Sequence, residues 1–471
     1  MPRATGRLNL PARFGVAAAL LAPWLVLSPL QAADGGGDCC AGLEQRVAEL
    51  EAITARKGNK NVSIQVYGDV NQAMLFWDDG QETNVYVVNN SYKTSRFGLK
   101  GTSKIGAGWS AGYRLEAESR VAYSRTLNQF DDDNFHDPNH NLFVRQSNMY
   151  VESETFGKFT LGLQEPPKDN STKDTHVAGN ILDSVSQDFF MSQGFFLRSK
   201  GVAGSEGLST IKFIDISRCY SSGSALFDCS TRRNMAVYQT PVWAGFWFNA
   251  GYGEDDIWSA SARYKKEWSE AWKAGAAAGY EDFTDERIQA GGGGNANFRR
   301  DIKEWSGEAS IMHKPSGIFA QYAFTSSEDR DSNRNGAGVF TGTDSPDMFS
   351  WDVQLGVQRA FNRLGKTTLW GGYTNSQDGI GGAGGPTRRI GAGAIPGVNE
   401  VTEITGSEVA KWYLAADQSI EAATMDLYLV YQHITPSVDL VNSDLDSVAA
   451  PLDDFDLVFL ARASISRPAQ F

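Results

Sequence analysis

The chain lacks any long apolar run beyond its N-terminal segment, residues 1–33. A helix that crosses a bilayer needs roughly 20 consecutive apolar residues, and no later segment approaches that length. The mean hydropathy is −0.34, and only 41% of the residues are hydrophobic. These features exclude a helical membrane protein. They leave a soluble exported protein or a barrel that crosses the membrane with strands.

Histidine and cysteine are also scarce, with five and four residues in the chain. No spacing typical of metal ligands occurs, and no Ser–His pair lies at the spacing of a lipase. The glycine run at 291–294 lacks the Lys-Ser/Thr pair of a phosphate-binding loop. The sequence therefore predicts no metal site, no cofactor and no enzyme activity.

Positive charge is sparse beside negative charge, with 43 basic residues against 56 acidic ones. Removing residues 1–33 takes away three arginines and leaves a net charge of −16. This acidity argues against nucleic acid as a partner. It suits polar outer loops around a wet channel, and it hints at a preference for cations, although loop charge is not pore charge.

The N-terminal segment has the layout of a secretory signal. Arg3, Arg7 and Arg13 precede an apolar stretch at 16–30, which ends in small residues. Pro23 and Pro29 interrupt that stretch, so it is too short for a spanning helix. Residues 1–33 are predicted to be a cleaved signal peptide.

Residues 34–60 read as a periplasmic linker with a short helix. Leu43, Val47 and Leu50 are spaced four and then three apart, as the seam of a coiled coil requires. The segment is too short to form a stable coil alone. It is either a single surface helix or a helix that meets copies of itself.

The four cysteines fall into two pairs. Cys219 and Cys229 enclose residues 220–228, and export permits the disulfide that we predict between them. Cys39 and Cys40 follow the signal closely. A lipid-modified cysteine and a bridge between subunits both remain open for that pair.

From residue 61 to residue 471 the chain alternates between apolar and polar residues in short runs separated by turns. The stretch 148–164, NMYVESETFGKFTLGLQ, reads as a hairpin with a tight turn at 155–157. Short turns alternate with long loops, and about sixteen runs can be counted. The pattern predicts an all-β, antiparallel transmembrane barrel. The run at 210–216 is assigned to the long third loop, because an even strand number requires it.

Charged residues on the second and third runs define a wet face. Arg96 and Lys100 alternate with apolar residues on one run, and Arg114 and Glu116 do so on the next. Charges at alternate positions need water, so this face is predicted to line the lumen. The polar stretch 165–232 is unusually long for a loop, which favours a functional role.

Several motifs occur in an order that resembles the general porins of Gram-negative bacteria, most closely those of alphaproteobacteria. They are VSIQVYGDVN (62–71), TSRFGLKG (94–101), ETFGKFTLGLQ (154–164), YQTPVWAGFWFNAGYGEDD (238–256) and a C-terminal Phe. The resemblance implies a homotrimer in the outer membrane, in contact with lipid and lipopolysaccharide, through which small hydrophilic solutes diffuse passively.

The resemblance also implies that the third loop folds inward as a constriction. Its acids would face Arg96, Lys100 and Arg114 on the wall, with Glu116 beside them; the candidates are Asp169, Asp174, Asp183 and Asp188. Phe471 would serve as the assembly signal. A substrate-selective channel and a plugged structural or receptor barrel share this fold and stay open as alternatives.

Overall fold

The computed structural model describes residues 62–132, 142–169, 175–178, 193–217, 232–289, 297–329, 346–380, 388–400, 402–442, 444–465 and 469–470. The dominant feature is one antiparallel sheet with sixteen long strands. They are β1 Ser63–Asp78, β2 Arg96–Gly106, β3 Trp109–Ser119, β4 Leu142–Ser153, β5 Gly157–Gln164, β6 Arg233–Gln239, β7 Phe246–Gly253, β8 Trp258–Glu267, β9 Trp272–Gln289, β10 Asn297–His313, β11 Ile318–Asp329, β12 Met348–Arg359, β13 Thr367–Gln377, β14 Thr402–Ile420, β15 Met425–Asn442 and β16 Phe455–Ile465.

The sheet closes on itself. Each strand pairs with its neighbours in the chain, and β1 pairs with β2 on one side and with β16 on the other. In this seam, Trp77 of β1 lies opposite Leu457 of β16. The sixteen-stranded barrel that the sequence predicts is thereby confirmed.

The connections divide the barrel into two ends. Seven short connections make the turn end, and eight connections make the loop end. Gly157 shows why a turn needs glycine, because its φ is 85° and a Cβ there would lie 2.1 Å from the carbonyl oxygen of Gln239. The first residues of β1 and the last residues of β16 both lie at the turn end, as an even strand number requires.

Short elements occur mostly at the loop end. Four short strands, Thr83–Asn89, Arg388–Ile390, Ser447–Val448 and Ala469–Gln470, join the barrel sheet. Phe196–Arg198 and Leu208–Lys212 form a separate two-stranded sheet, followed by the helix α1, Phe213–Ile216. Single 3-10 turns occur at Ser91–Lys93, Ser205–Gly207, Glu254–Asp256 and Glu421–Ala423. The run at 210–216 thus lies within the third loop, as expected.

A short strand between β1 and β2 in the chain was not identified from the sequence. The strand Thr83–Asn89 folds back on the outer half of β1, with Asp78 opposite Thr83. Val85 and Val87 are exposed, whereas Tyr86 and Val88 are buried. This short run therefore has the same alternation as the wall, and it makes the wall taller at this point.

The outward face of the barrel is apolar and, over β7–β15, rich in exposed aromatic rings. Trp258, Trp268, Trp272, Trp305 and Trp412 all lie there. Such girdles are typical of strands that meet membrane interfaces. Within the described residues, no helix is both long enough and apolar enough to span a bilayer.

The inward face differs around the barrel. On β2–β4 it is charged, whereas on β14, β15, β16 and the outer half of β1 it is mainly apolar, although β14 and β15 also bury a few polar side chains. The apolar part includes Leu75, Val409, Ile434 and Phe459, each at most 1% exposed. A buried apolar cluster lines this side of the barrel and extends beyond it, and seven described residues of the third loop belong to it.

Candidate pore constriction

A charged ladder crosses the inward face of β2, β3 and β4. Arg114 Nη2 lies 2.6 Å from Glu116 Oε2, and Arg145 Nε lies 2.9 Å from Glu116 Oε1. Arg145 also contacts Glu118, and Arg96 Nη1 lies 3.7 Å from Glu116. Glu116 thus binds three guanidinium groups from three strands.

Arg145 joins this ladder through a β-bulge. Glu116 pairs with Gln146 and Ala117 with Val144, which leaves Arg145 as an extra residue on β4. Bulges re-aim side chains in this way. Arg145 was not predicted from the sequence, because the predicted hairpin began only at residue 148. A cation directly after the alternating Leu142 and Val144 was the available signal.

Tyr67 of β1 fixes the position of Arg114. Its hydroxyl donates to Glu116 Oε2 at 2.8 Å and accepts from Arg114 Nε at 2.9 Å. Lys100 Nζ lies 4.7 Å from the centre of the Tyr67 ring. Gly98 makes room for this ring, because a Cβ there would lie 2.4 Å from Tyr67 Cζ. The ring and the ladder therefore form one rigid surface.

Two lysines near the ladder form no ion pair within the described residues. Lys100 is exposed beside Tyr67, and Lys158 Nζ lies 4.1 Å from the centre of the Tyr150 ring. Cations outnumber carboxylates on this wall; the cations are Lys93, Arg96, Lys100, Lys104, Arg114, Arg120, Arg145 and Lys158, and the carboxylates are Asp69, Glu116, Glu118 and Glu152. The wall carries a net positive charge.

The third loop enters the barrel in two described parts, which we name the proximal arm (165–169 and 175–178) and the distal arm (193–217). The proximal arm is anchored by Lys168, whose Nζ lies 3.0 Å from Glu304 Oε2 and 3.9 Å from Glu281 Oε2. All three side chains are inaccessible to solvent. The backbone N–H of Lys168 also donates to Ser259 Oγ at 2.9 Å.

A strip of small residues on β9 receives the proximal arm. A Cβ at Gly275 would lie 1.8 Å from the carbonyl oxygen of Thr175, and one at Gly279 would lie 2.8 Å from Lys168 Cγ. Ala277 lies between them on the same face. Small residues at alternate positions of a strand can be recognised in the sequence. Here they indicate the part of the wall against which the loop packs.

His176 in the proximal arm is held as a neutral side chain. Its Nδ1 accepts from the backbone N–H of Ala178 at 3.2 Å, and Lys265 Nζ donates to its carbonyl oxygen at 3.1 Å. Burial first, and the nearby Lys265 ammonium second, lower the pKa of His176 to about 3. The docked arm therefore favours the unprotonated ring.

The predicted loop acids are only partly placed. Asp169 is 8% exposed, and its carbonyl oxygen accepts from Arg263 Nη2 of β8 at 3.0 Å, so the residue lies against β8. By contrast, Arg96, Arg114 and Glu116 come together and Lys100 lies beside them. Outside the described residues lie Asp174, Asp183, Asp188, Cys219, Cys229 and Phe471, together with the signal, the linker, Cys39 and Cys40. Those residues stay predictions.

Known proteins share this architecture. A family model described as a Gram-negative porin matches residues 17–437. The chain belongs to the Gram-negative porin family. An outer membrane porin protein of Bordetella pertussis is 26% identical over 166 residues. That match spans 35% of this chain and only about a third of the relative's length (32%).

Solved porin structures were compared with this barrel, and one at a TM-score above 0.5 shows the same fold. An anion-selective porin from Comamonas acidovorans is 14% identical with a TM-score of 0.52, over 86% of this chain and all of the other. OmpF of Salmonella typhi, in complex with daunomycin, is 12% identical with a TM-score of 0.46, over 85% of this chain and 97% of that one. Family membership places this porin in the outer membrane of a Gram-negative bacterium, with its turn end toward the periplasm.

Proposed function

We propose that this porin passes small hydrophilic solutes passively through a water-filled channel that runs along the charged ladder. One observation carries the proposal. The inward residues of β8–β16 are mostly buried, whereas Lys100, Tyr67 and Arg114 remain at least partly exposed, with Arg114 at 32%. Water and solutes therefore have a polar path on the side of β1–β5.

We further propose that the channel prefers small anions. Its accessible wall has more cations than carboxylates, and neither Lys100 nor Lys158 forms a close ion pair with a described carboxylate. Charged rings in a narrow pore set ion preference more strongly than distant charge does. The net charge of the whole chain hints at cations, but much of that charge lies away from this wall. The Comamonas porin named above is itself described as anion-selective.

A homotrimer that uses the outward face of β1–β5 is also proposed. This sector exposes mainly aliphatic side chains in place of the aromatic girdle of β7–β15; they include Val66, Val70, Leu99, Leu115 and Val144. Aromatic side chains anchor a lipid-facing surface at the membrane interface, and a surface that packs against another subunit does not need them. The girdled sector would then meet lipid and lipopolysaccharide.

Planar-bilayer conductance of the purified protein tests these proposals. Conductance in steps of three supports an open trimeric channel, and the reversal potential in a salt gradient gives the sign of the preferred ion. Folded protein without conductance would contradict the diffusion channel and would favour a plugged structural or receptor barrel. Conductance that saturates with one solute would instead favour a substrate-selective channel.

A further inference from the structure

Carboxylates crowd the outer end of the seam between β1 and β16. Asp78 lies directly opposite Asp456 in the register, and Asp79 and Asp453 flank the two strand ends. Like charges in directly opposite positions destabilise a strand pair. The strands that close the barrel are therefore poorly matched at this end unless another group compensates the charge.

Arg198 of the distal arm supplies that group. Its Nε lies 2.6 Å from Asp79 Oδ2, with both side chains buried, and its Nη2 lies 3.4 Å from Glu82 Oε2. Two carbonyl oxygens, those of Val202 and Gly204, accept from its Nη1 at 3.1 and 2.7 Å. These contacts tie the guanidinium to the β1 side of the seam.

The backbone of the same segment binds the β16 side. The N–H of Asp453 donates to the carbonyl oxygen of Arg198 at 2.9 Å, and the N–H of Lys200 donates to that of Pro451 at 2.9 Å. Asp453 Oδ2 accepts from Gly201 N at 3.2 Å and, across the seam, from Gln81 Nε2 at 2.8 Å. One short stretch of loop thus binds the residues that adjoin both strands at the outer end of the seam.

Aromatic rings also connect the distal arm to β1 and β16. Trp77 of β1 and Phe455 of β16 stack with their centres 6.3 Å apart. Phe195 of the distal arm packs edge-on against both, at 5.5 Å and 5.0 Å. Phe213 adds a further edge contact to Phe455 at 5.6 Å. The Phe195 ring therefore packs against both Trp77 and Phe455 and connects the two strands.

We propose that the distal arm is a clamp that holds the seam of the barrel shut. This role is separate from the shaping of the channel, which occurs along the charged ladder on β2–β4. It requires that loss of the Arg198 contacts opens β1 and β16 locally, beyond the loop itself.

Hydrogen exchange on the folded, full-length protein in detergent tests the clamp. In Arg198→Met, we expect exchange in the outer halves of β1 and β16 to quicken by roughly a hundredfold, because a buried acid loses its partner. Lys168→Met is the matched control, since it removes a second buried cation from the described part of the same loop. It should raise the rate of hydrogen exchange in β9 and β10 and leave exchange at the seam unchanged.

A disulfide across the seam separates clamp loss from general misfolding. Met74 and Leu460 are register partners on the outward face, so cysteines at both positions should restore slow seam exchange in Arg198→Met. Arg198→Lys, which keeps the charge, should give an intermediate rate if Arg198→Met does not fold. Fast exchange of residues 193–217 beside an unchanged seam would overturn the proposal.

Discussion

Arginine is bound differently on the two sides of the lumen. Arg145 lies in a ladder of charges and is 12% exposed, whereas Arg198 is fully buried and binds Asp79 and loop carbonyl oxygens. Both walls follow the same alternation along their strands. The inward residue type decides the outcome, because a charged wall must keep water or counter-charges and an apolar wall must be covered. The loop therefore covers the apolar wall and leaves the charged one open.

Removal of an aromatic ring from the apolar wall should give the largest loss of stability. Trp77 is 3% exposed and contacts rings of three other segments, so Trp77→Ala should lower the free energy of unfolding by about 3–5 kcal/mol. Tyr150→Ala on the charged wall is the control and should cost much less. The temperature at which the folded band is lost in gel electrophoresis checks both. Equal losses would contradict the division into two walls.

The second largest effect is expected when a side chain is added to the strip of small residues on β9. Gly275→Ala places a Cβ where the carbonyl oxygen of Thr175 lies, at a cost on the order of 1–3 kcal/mol to docking. The arm should shift toward the lumen axis, so single-channel conductance should fall. Gly106→Ala, with nothing within 4 Å of its Cβ, should leave conductance unchanged. If the two variants behave alike, the strip does not set the channel width.

Acid should loosen the proximal arm through His176. Its pKa in the fold is about 3, below the ordinary value of about 6.5, so the folded state favours the neutral ring. The resulting stability is complete above about pH 6.5 and is lost progressively as the pH falls toward 3. Channel noise and protease cleavage near residue 176 should rise between pH 6.5 and 4. His176→Gln, which cannot gain a proton, should remove this pH dependence.

The smallest effect is expected from the unpaired lysines. Lys100→Gln combined with Lys158→Gln should move the reversal potential toward cation preference and leave the unfolding temperature nearly unchanged. Lys266→Gln makes half of that charge change on the exposed outward side of β8 and should leave the potential as it was. An unchanged potential in the double variant would show that ion preference is set elsewhere.

The barrel and its strand number could be predicted from the sequence because a period of two is a local property. The inward position of Arg96, Lys100, Arg114 and Glu116 followed from the same alternation. Arg145 did not, because a bulge breaks that period by one residue.

The covering of the apolar wall was also missed. Along β16, inward Phe455, Leu457 and Phe459 alternate with Asp456, Val458 and Leu460, so the strand has hardly any polar face. That lack of a polar face is a sign of a partner inside the barrel. Which loop supplies the partner depends on contacts between distant segments, such as Arg198 with Asp79, and no local pattern encodes them.

The position of Phe195 also links two events in folding. Its ring lies inside the cylinder and packs against Trp77 of the first strand and Phe455 of the last. The ring can make both contacts only when those two strands are side by side. We therefore expect closure of the wall and docking of the third loop to form cooperatively, each stabilising the other.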